Sequence, residues 1–459
     1  MNKITIAEIK EATGGRILSG DGTEEITAVS TDSRKVKAGE LFVPIVGEVH
    51  DAHKFIPMAY GNGCRAFLTD REAAAANLPE AGVILVKDTT RAMQALASWY
   101  LKKLNLKTVA VTGSVGKTST RDMVCAILRE KYITGTTVGN FNNDIGVPQT
   151  IFTFDKSMEA AVLEVGMDHR NEIHRLVDII RPNVGIITNV GISHIENLGS
   201  REEILAAKLE ITDYFHEGNT LIINQDNDML QTAVFSEAYD VIRVGTDSCC
   251  DYFVHHIEDR GGEGVAYTLT VRDRDYRIQL AIPGAHNALN SALAAAAASC
   301  FGITAAQAAE GLSKLQLTGK RLTIRKAGAM KIIDDTYNAA PDSMKSALET
   351  LIHTAGGRKV AILAGMNELG ENSPAYHREI GQFAAEQKVD LLLTAGEKAA
   401  DIAEGAISAG AAAVKHFDTK EDLSAELRVL LKSNDTVLVK GSRAMEMEQI
   451  VDKIMKEQE

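Results

Sequence analysis

Seven consecutive residues, Gly113-Ser114-Val115-Gly116-Lys117-Thr118-Ser119, combine glycines, an ammonium group and hydroxyls in the manner that a bound polyphosphate requires. The apolar run Thr108-Val109-Ala110-Val111 precedes them and a helical pattern follows. Backbone N–H groups and a helix N-terminus would then converge on one point. Lys117 would offset phosphate charge, and the Thr118 hydroxyl stands where magnesium bridging the terminal phosphates would be held. The position six residues before Lys117 is Val111 rather than glycine, so the loop is shorter than the common G-x-x-x-x-G-K-[ST] form. By itself it suits a ligase, a kinase or a regulatory switch equally.

Other polar groups fall where loops should gather. Glu164 closes the apolar run Ala160–Val165 ahead of Gly166, which puts a hard oxygen donor at a strand end. His194 lies in the loop after Val184–Thr188, where a lone histidine ordinarily hydrogen-bonds at the surface. Lys208, on a helix expected over Glu202–Tyr214, reads alone as a solvated lysine paired with a nearby glutamate. Asn287 and Asn290 are one helical turn apart, either a cap and an ordinary helix residue or two amides presented to one ligand. Ser30-Thr31-Asp32-Ser33-Arg34 and Gly47–Phe55 read as polar turns. Lys440-Gly441-Ser442-Arg443 follows the last strand at its carboxyl end, where doubly wound sheets collect ligands.

The elements positioning these groups suggest an α/β protein of three domains. Residues 1–104 mix short strands such as Glu40–Ile45 with helices, ending in a helical pattern from Thr90 to Leu104. Residues 105–317 carry the apolar runs expected of a mainly parallel, P-loop ATPase-like sheet, then alternating residues over Asp251–Ile282 that predict antiparallel strands, then an alanine-rich helix over Asn287–Cys300. Residues 318–459 read as a Rossmann-like doubly wound domain with strands at Met330–Asp334, Val360–Leu363, Leu391–Thr394 and Val437–Val439. That last domain has no G-x-G-x-x-G after its first strand, so no dinucleotide is inferred there.

Composition narrows the function. A chain of 459 residues exceeds one ordinary core. A net charge of −13 argues against a general nucleic-acid surface. Met1–Glu8 lacks a basic leader, and no run approaches the roughly 18 apolar residues of a membrane span, so a cytosolic protein is expected. Five cysteines without a C-x-x-C pair point to reduced thiols rather than a disulfide framework or a zinc cluster.

The short Thr112–Thr118 loop resembles that of the Mur ligase superfamily, which joins amino acids or peptides to a carboxylate through an acyl phosphate. The resemblance extends through Thr137–Pro148, Glu164–Met167, Ala207–Glu210, Gly284–Asn290, Asp334–Met344, Gly365–Gly370 and Lys440–Arg443, and is strongest to the branch that extends UDP-N-acetylmuramoyl-tripeptide by D-alanyl-D-alanine. Ala52, Ala340 and Asn367 depart from residues usual in the family. The resemblance implies ATP and two magnesium ions, with Thr118, Glu164, His194 and a carboxylated Lys208 as metal ligands and Lys117 at the phosphates. It further implies that Asn287, Asn290, Arg321, Asp335 and Asn338 contact the nucleotide. Ser30, Asp32, Ser33, Arg34 and His53 would bind the uridine diphosphate, Asn140, Asn142 and Asn143 the incoming nucleotide-peptide, and Lys440, Ser442 and Arg443 would shape the dipeptide pocket. The expected product is the pentapeptide precursor of peptidoglycan, made by a monomer. Two alternatives stay open: another amide ligase of the superfamily, adding the third residue or acting on folylpolyglutamate, and an ATP-binding switch.

Overall fold

The apolar, β-branched run Thr108–Val111 folds within the strand Lys107–Thr112, buried on both faces inside a nine-stranded sheet. The structure is a computed structural model and describes residues 1–47, 49–319 and 321–458; Glu48, in the segment Gly47–Phe55, lies outside the described residues. Val184–Ile187 and Ala160–Glu164 flank Lys107–Thr112, both parallel to it, with Thr134–Thr136 beyond the latter. Thr220–Asn224 and Asp240–Gly245 continue the parallel order on the other side. Tyr252–Asp259, Val265–Val271 and Arg274–Leu280 then form the expected antiparallel extension.

Alternation along these strands feeds two cores. Val109, Val111 and Val162 pack under the helices Lys117–Leu128 and His286–Ser299, and the alanines of the second helix allow the two helices to pack together. Ala110, Ala161 and Leu163 face the opposite core, which they share with Leu96, Ala97 and Tyr100 of the helix Thr89–Leu104. That helix ties the N-terminal unit down: Tyr100 Oη accepts from the Asn2 N–H at 2.7 Å and donates to the Phe154 carbonyl at 2.8 Å.

The N-terminal unit holds a five-stranded sheet. Its strand expected over Glu40–Ile45 stops at Phe42, because Pro44 has no N–H to donate to a ladder. In the C-terminal unit the expected strands occur as Met330–Asp335, Lys359–Ala364, Leu391–Ala395 and Thr436–Lys440, within a six-stranded sheet. Its two edges, Thr323–Ala327 and Val414–Phe417, escape the apolar pattern because each is only partly buried and carries charged residues. The helix expected over Glu202–Tyr214 is an α-helix only over Arg201–Leu209, followed by a 3-10 turn at Glu210–Thr212. There Glu210 turns inward and accepts from the backbone N–H groups of Asn171 and His174. No helix among the described residues is long and apolar enough to cross a membrane.

Candidate active site

Three neighbouring parallel strands, Ala160–Glu164, Lys107–Thr112 and Val184–Ile187, deliver their carboxyl-end loops to one place. Gly113 passes so close to the next loop that an added Cβ would lie 1.9 Å from Thr188 Oγ1, which explains the glycine. Val115 N–H donates to Asn189 Oδ1 at 2.9 Å, and Ser114 Oγ accepts from Gly191 N–H at 2.9 Å, so the two loops fix one another. Gly116, at φ 83°, precedes the helix Lys117–Leu128, and no side chain caps that helix. Its first N–H groups therefore face the cavity as anion donors. Lys117 Nζ folds back onto the Gly113 carbonyl at 2.7 Å. Burial lowers the Lys117 ammonium below the ordinary lysine range, Glu164 opposes that shift, and Arg321 reinforces it.

Glu164, one of the metal ligands the resemblance implies, is buried. Its Oε2 accepts from Thr118 Oγ1 and its Oε1 from Asn142 Nδ2, each at 2.9 Å, while Arg121 NH1 stands 3.6 Å from Oε2. His194, in left-handed backbone at φ 65°, places Nδ1 2.6 Å from Glu368 Oε2 and 3.1 Å from Asp168 Oδ1. Lys208 differs from the solvated, paired lysine read from its helix. It is buried, has no ion pair among the described residues, and is not among the residues that line the cavity. Burial, with Lys117 as a like charge, drives its amine far below the ordinary lysine value.

The C-terminal unit closes the other side. Asp335 and Lys440 are register partners at the carboxyl ends of adjacent parallel strands. Lys440 Nζ donates to Asp335 Oδ2 at 2.5 Å and to the Asn338 carbonyl at 2.8 Å. The Arg321 guanidinium stacks 4.2 Å from the centre of the Tyr337 ring, and its buried Nε has no hydrogen-bond partner among the described residues. Ser442 Oγ accepts from Asn367 Nδ2 at 3.3 Å, and Arg443 pairs with Glu448 at 2.9 Å. Asn287 lies inside the helix, which starts at His286, so it is not the cap; its amide donates to the Pro283 carbonyl at 2.7 Å. Asn290 reaches the loop, where a Cβ on Gly116 would meet its Oδ1 at 3.1 Å.

A cavity of about 980 Å³ joins these groups. Its wall includes Ser114–Ser119, Glu164, His194 and Asn290 from the central unit, with Asn140, Asn142 and Asn143 from the loop before the helix Gly146–Ile151. Arg321, Asp335, Asn338, Lys440, Ser442 and Arg443 complete it from the C-terminal unit. The N-terminal residues do not reach it. Asp32 is tied to Arg34, which holds its carboxyl at about 2. Ser33 is buried against Met58. His53 is buried between Asp51 at 2.8 Å and Asp70 at 3.0 Å, and Ser30 bonds locally to Asp32. A bond of 2.7 Å from Gln149 to Thr31 nevertheless joins this segment to the helix that follows the asparagines.

Sequence reading missed Asp168, Glu368, Arg121 and Tyr337 as parts of the site. Asp168 directly follows Glu164–Met167, and Glu368 and Tyr337 lie within Gly365–Gly370 and Asp334–Met344, though no role was read for them; Arg121 gave no signal, since an arginine one turn into a helix ordinarily faces water.

Three α/β units, with a phosphate-binding loop in the second and a lid of buried charges from the third, define a nucleotide-dependent enzyme of the ligase type. Three family models match in order: Mur ligase family, catalytic domain, at residues 25–100; Mur ligase middle domain, at 111–298; and Mur ligase, glutamate ligase domain, at 320–443. The UDP-N-acetylmuramoyl-tripeptide--D-alanyl-D-alanine ligase of Bacillus subtilis is 38% identical over 456 residues, covering 98% of each chain. A crystal structure of MurF from Acinetobacter baumannii superposes with a TM-score of 0.92 at 30% identity, covering 99% of each chain. MurF ligase from Thermotoga maritima in complex with ADP superposes with a TM-score of 0.84 at 27% identity, over 94% of this chain and 97% of that one. The chain belongs to the Mur ligase family.

Proposed function

We propose that the chain joins D-alanyl-D-alanine to UDP-N-acetylmuramoyl-tripeptide with ATP, releasing ADP, phosphate and the pentapeptide precursor of peptidoglycan. The observation that carries this reading is the single cavity in which the loop Gly113–Ser119 and Glu164 face Asp335, Asn338 and Lys440 from the C-terminal unit. The full-length similarity to ligases of that name supports the choice of substrates.

A peptide carboxylate cannot expel oxide, so it must first gain a better leaving group. A carboxylate oxygen of the tripeptide attacks the γ-phosphorus of ATP and ADP departs, leaving an acyl phosphate. The neutral amine of D-alanyl-D-alanine then attacks the acyl carbon, and phosphate leaves with the former carboxylate oxygen. Lys117 and the N–H groups of Gly116–Ser119 stabilise the charge on the phosphates. Asn290, Arg321, Asp335 and Asn338 hold the nucleotide, with Asn287 supporting Asn290. Ser442, Arg443 and Lys440 border the dipeptide, and Asn140, Asn142 and Asn143 border the tripeptide. Ser30, Asp32, Ser33, Arg34 and His53 form the uridine-diphosphate end, 1–104 being the domain that carries them. Residues 105–317 then form the catalytic domain and 318–459 the closing domain, which shields the acyl phosphate from water.

The donor set fits magnesium. Thr118 and Glu164 satisfy one another at 2.9 Å and offer a hydroxyl and a carboxylate from one spot, and His194 Nδ1 is enclosed without a well-formed hydrogen bond among the described residues. Magnesium, when bound there, would neutralise phosphate charge during attack by an anion. Lys208 fits a carboxylated lysine: a neutral buried amine adds to carbon dioxide, loses a proton and becomes an anionic oxygen donor. We place the protein in the cytosol as a monomer.

The test is to incubate the protein with ATP, magnesium, UDP-N-acetylmuramoyl-tripeptide and D-alanyl-D-alanine and to weigh the products. Pentapeptide supports the reading. ATP hydrolysis without pentapeptide would instead favour a switch or another amide ligase.

A further inference from the structure

Two carboxylates without a part in the reaction above face His194. Asp168 comes from the loop after Ala160–Glu164, and Glu368 from the loop after Lys359–Ala364 in the C-terminal unit. One ligand atom from each of Asp168, His194 and Glu368 lies within 4.8 Å of the other two. His194 Nδ1 is enclosed, yet it forms no hydrogen bond of good geometry with either carboxylate despite separations of 2.6 and 3.1 Å. The imidazole and the two carboxylates thus bring one ligand atom each to one place. Such a mixed nitrogen and oxygen set suits a small divalent cation. The position is also next to the phosphates, since both carboxylates act on the charge of Lys117 and all three residues line the main cavity.

Resting on the reading of His194 as a cation ligand, we propose that Asp168 and Glu368 complete its coordination, so that the C-terminal unit supplies a ligand and the cation holds the cleft closed. Glu368 is the decisive member because it crosses between units; its backbone carbonyl also accepts from Glu196 N–H at 3.4 Å. A cation with one more ligand in the closed form than in the open form favours closure by that difference in affinity. Glu368 is thus a positioning residue for the lid as well as a ligand.

Manganese serves as the probe on the full chain, its binding followed by the electron paramagnetic resonance of the free ion and closure by small-angle scattering. The expected result is that Glu368→Gln weakens one manganese site at least tenfold and removes the manganese-induced compaction seen in the unaltered chain. Asp168→Asn weakens the same site. Glu368→Cys should weaken manganese while strengthening cadmium at least tenfold, a reversal that loss of folding cannot produce. Unchanged manganese affinity in Glu368→Gln, or no cadmium gain in Glu368→Cys, overturns the proposal and leaves an ion pair across the cleft. The same preparations are assayed for pentapeptide: product from the unaltered chain with unchanged manganese binding in the variant sinks only this assignment, whereas absence of product sinks the reading of the site.

Discussion

Lys440 and Asp335 end adjacent parallel strands at paired register positions and meet as a buried ion pair of 2.5 Å. Removing one member of such a pair strands a charge and costs about 3–5 kcal/mol, whereas removing both can approach neutrality. Lys440→Met should therefore lower the melting temperature and raise the KM for ATP about tenfold or more, because Asp335 and the Asn338 carbonyl lose their shared donor. Lys440→Met with Asp335→Asn should melt higher than Lys440→Met alone. Additive losses in thermal denaturation would show that the pair carries no coupling.

Lys208 titrates with a defined sign. Its folded amine is pushed well below the unfolded lysine value, so the unfolded chain holds more protons over that interval. In buffer freed of carbon dioxide, stability should rise with pH from the lowered folded value toward roughly 10.4, where unfolded lysine titrates. The penalty of burying the ammonium is complete below that interval. Lys208→Met should flatten this part of the profile. Ligation should fall in such buffer and return on adding bicarbonate, and a rate indifferent to bicarbonate would remove carboxylation from the account.

Gly113→Ala drives a Cβ to 1.9 Å from Thr188 Oγ1 and 3.2 Å from Asn189 N. Overpacking of this kind costs about 1–3 kcal/mol and would displace the loop that carries Lys117. The expected outcome is ATP binding weakened about tenfold or more by calorimetry, with partial recovery in Gly113→Ala with Thr188→Ala. Full affinity in the single variant would show that the close approach is not needed.

The start of the polypeptide leading to the C-terminal unit is pinned to the phosphate-loop helix. Thr318 N and Oγ1 donate to Asp122 Oδ2 at 2.7 and 2.8 Å, and Arg121 NH2 donates to Thr318 Oγ1 at 2.5 Å. Thr318→Val removes the hydroxyl between two buried charged groups, a loss of about 1–3 kcal/mol. Limited proteolysis should then cut more rapidly near residue 318, with ATP protecting less well. Unaltered cleavage would mean that the linker is held by other contacts.

The phosphate loop was legible because glycine spacing, lysine and threonine coincide with a strand before and a helix after, all of them local properties. The parallel strands were legible because burial on both faces demands unbroken apolar runs, as in Ala160–Glu164. Val414–Phe417 was not, since an edge strand containing Lys415 and His416 carries no such run. Burial of Lys208 also escaped, because a charged residue on a helix ordinarily faces water and only the fold buries it within reach of the Lys117 charge. The Asp335–Lys440 pair depends on which strands become neighbours, and the approach of Glu368 to His194 depends on how two units meet. Neither is written in local spacing.

The central claim, that this site activates a carboxylate for amide formation, is tested most directly by isotope transfer. The tripeptide substrate carries oxygen-18 in its terminal carboxylate, and the phosphate released with ADP is weighed after one turnover. One labelled oxygen in the phosphate for each pentapeptide formed is predicted, because the carboxylate oxygen that attacks the γ-phosphorus leaves with it. Phosphate without label would contradict the account, since it would place water rather than the peptide carboxylate at the γ-phosphorus.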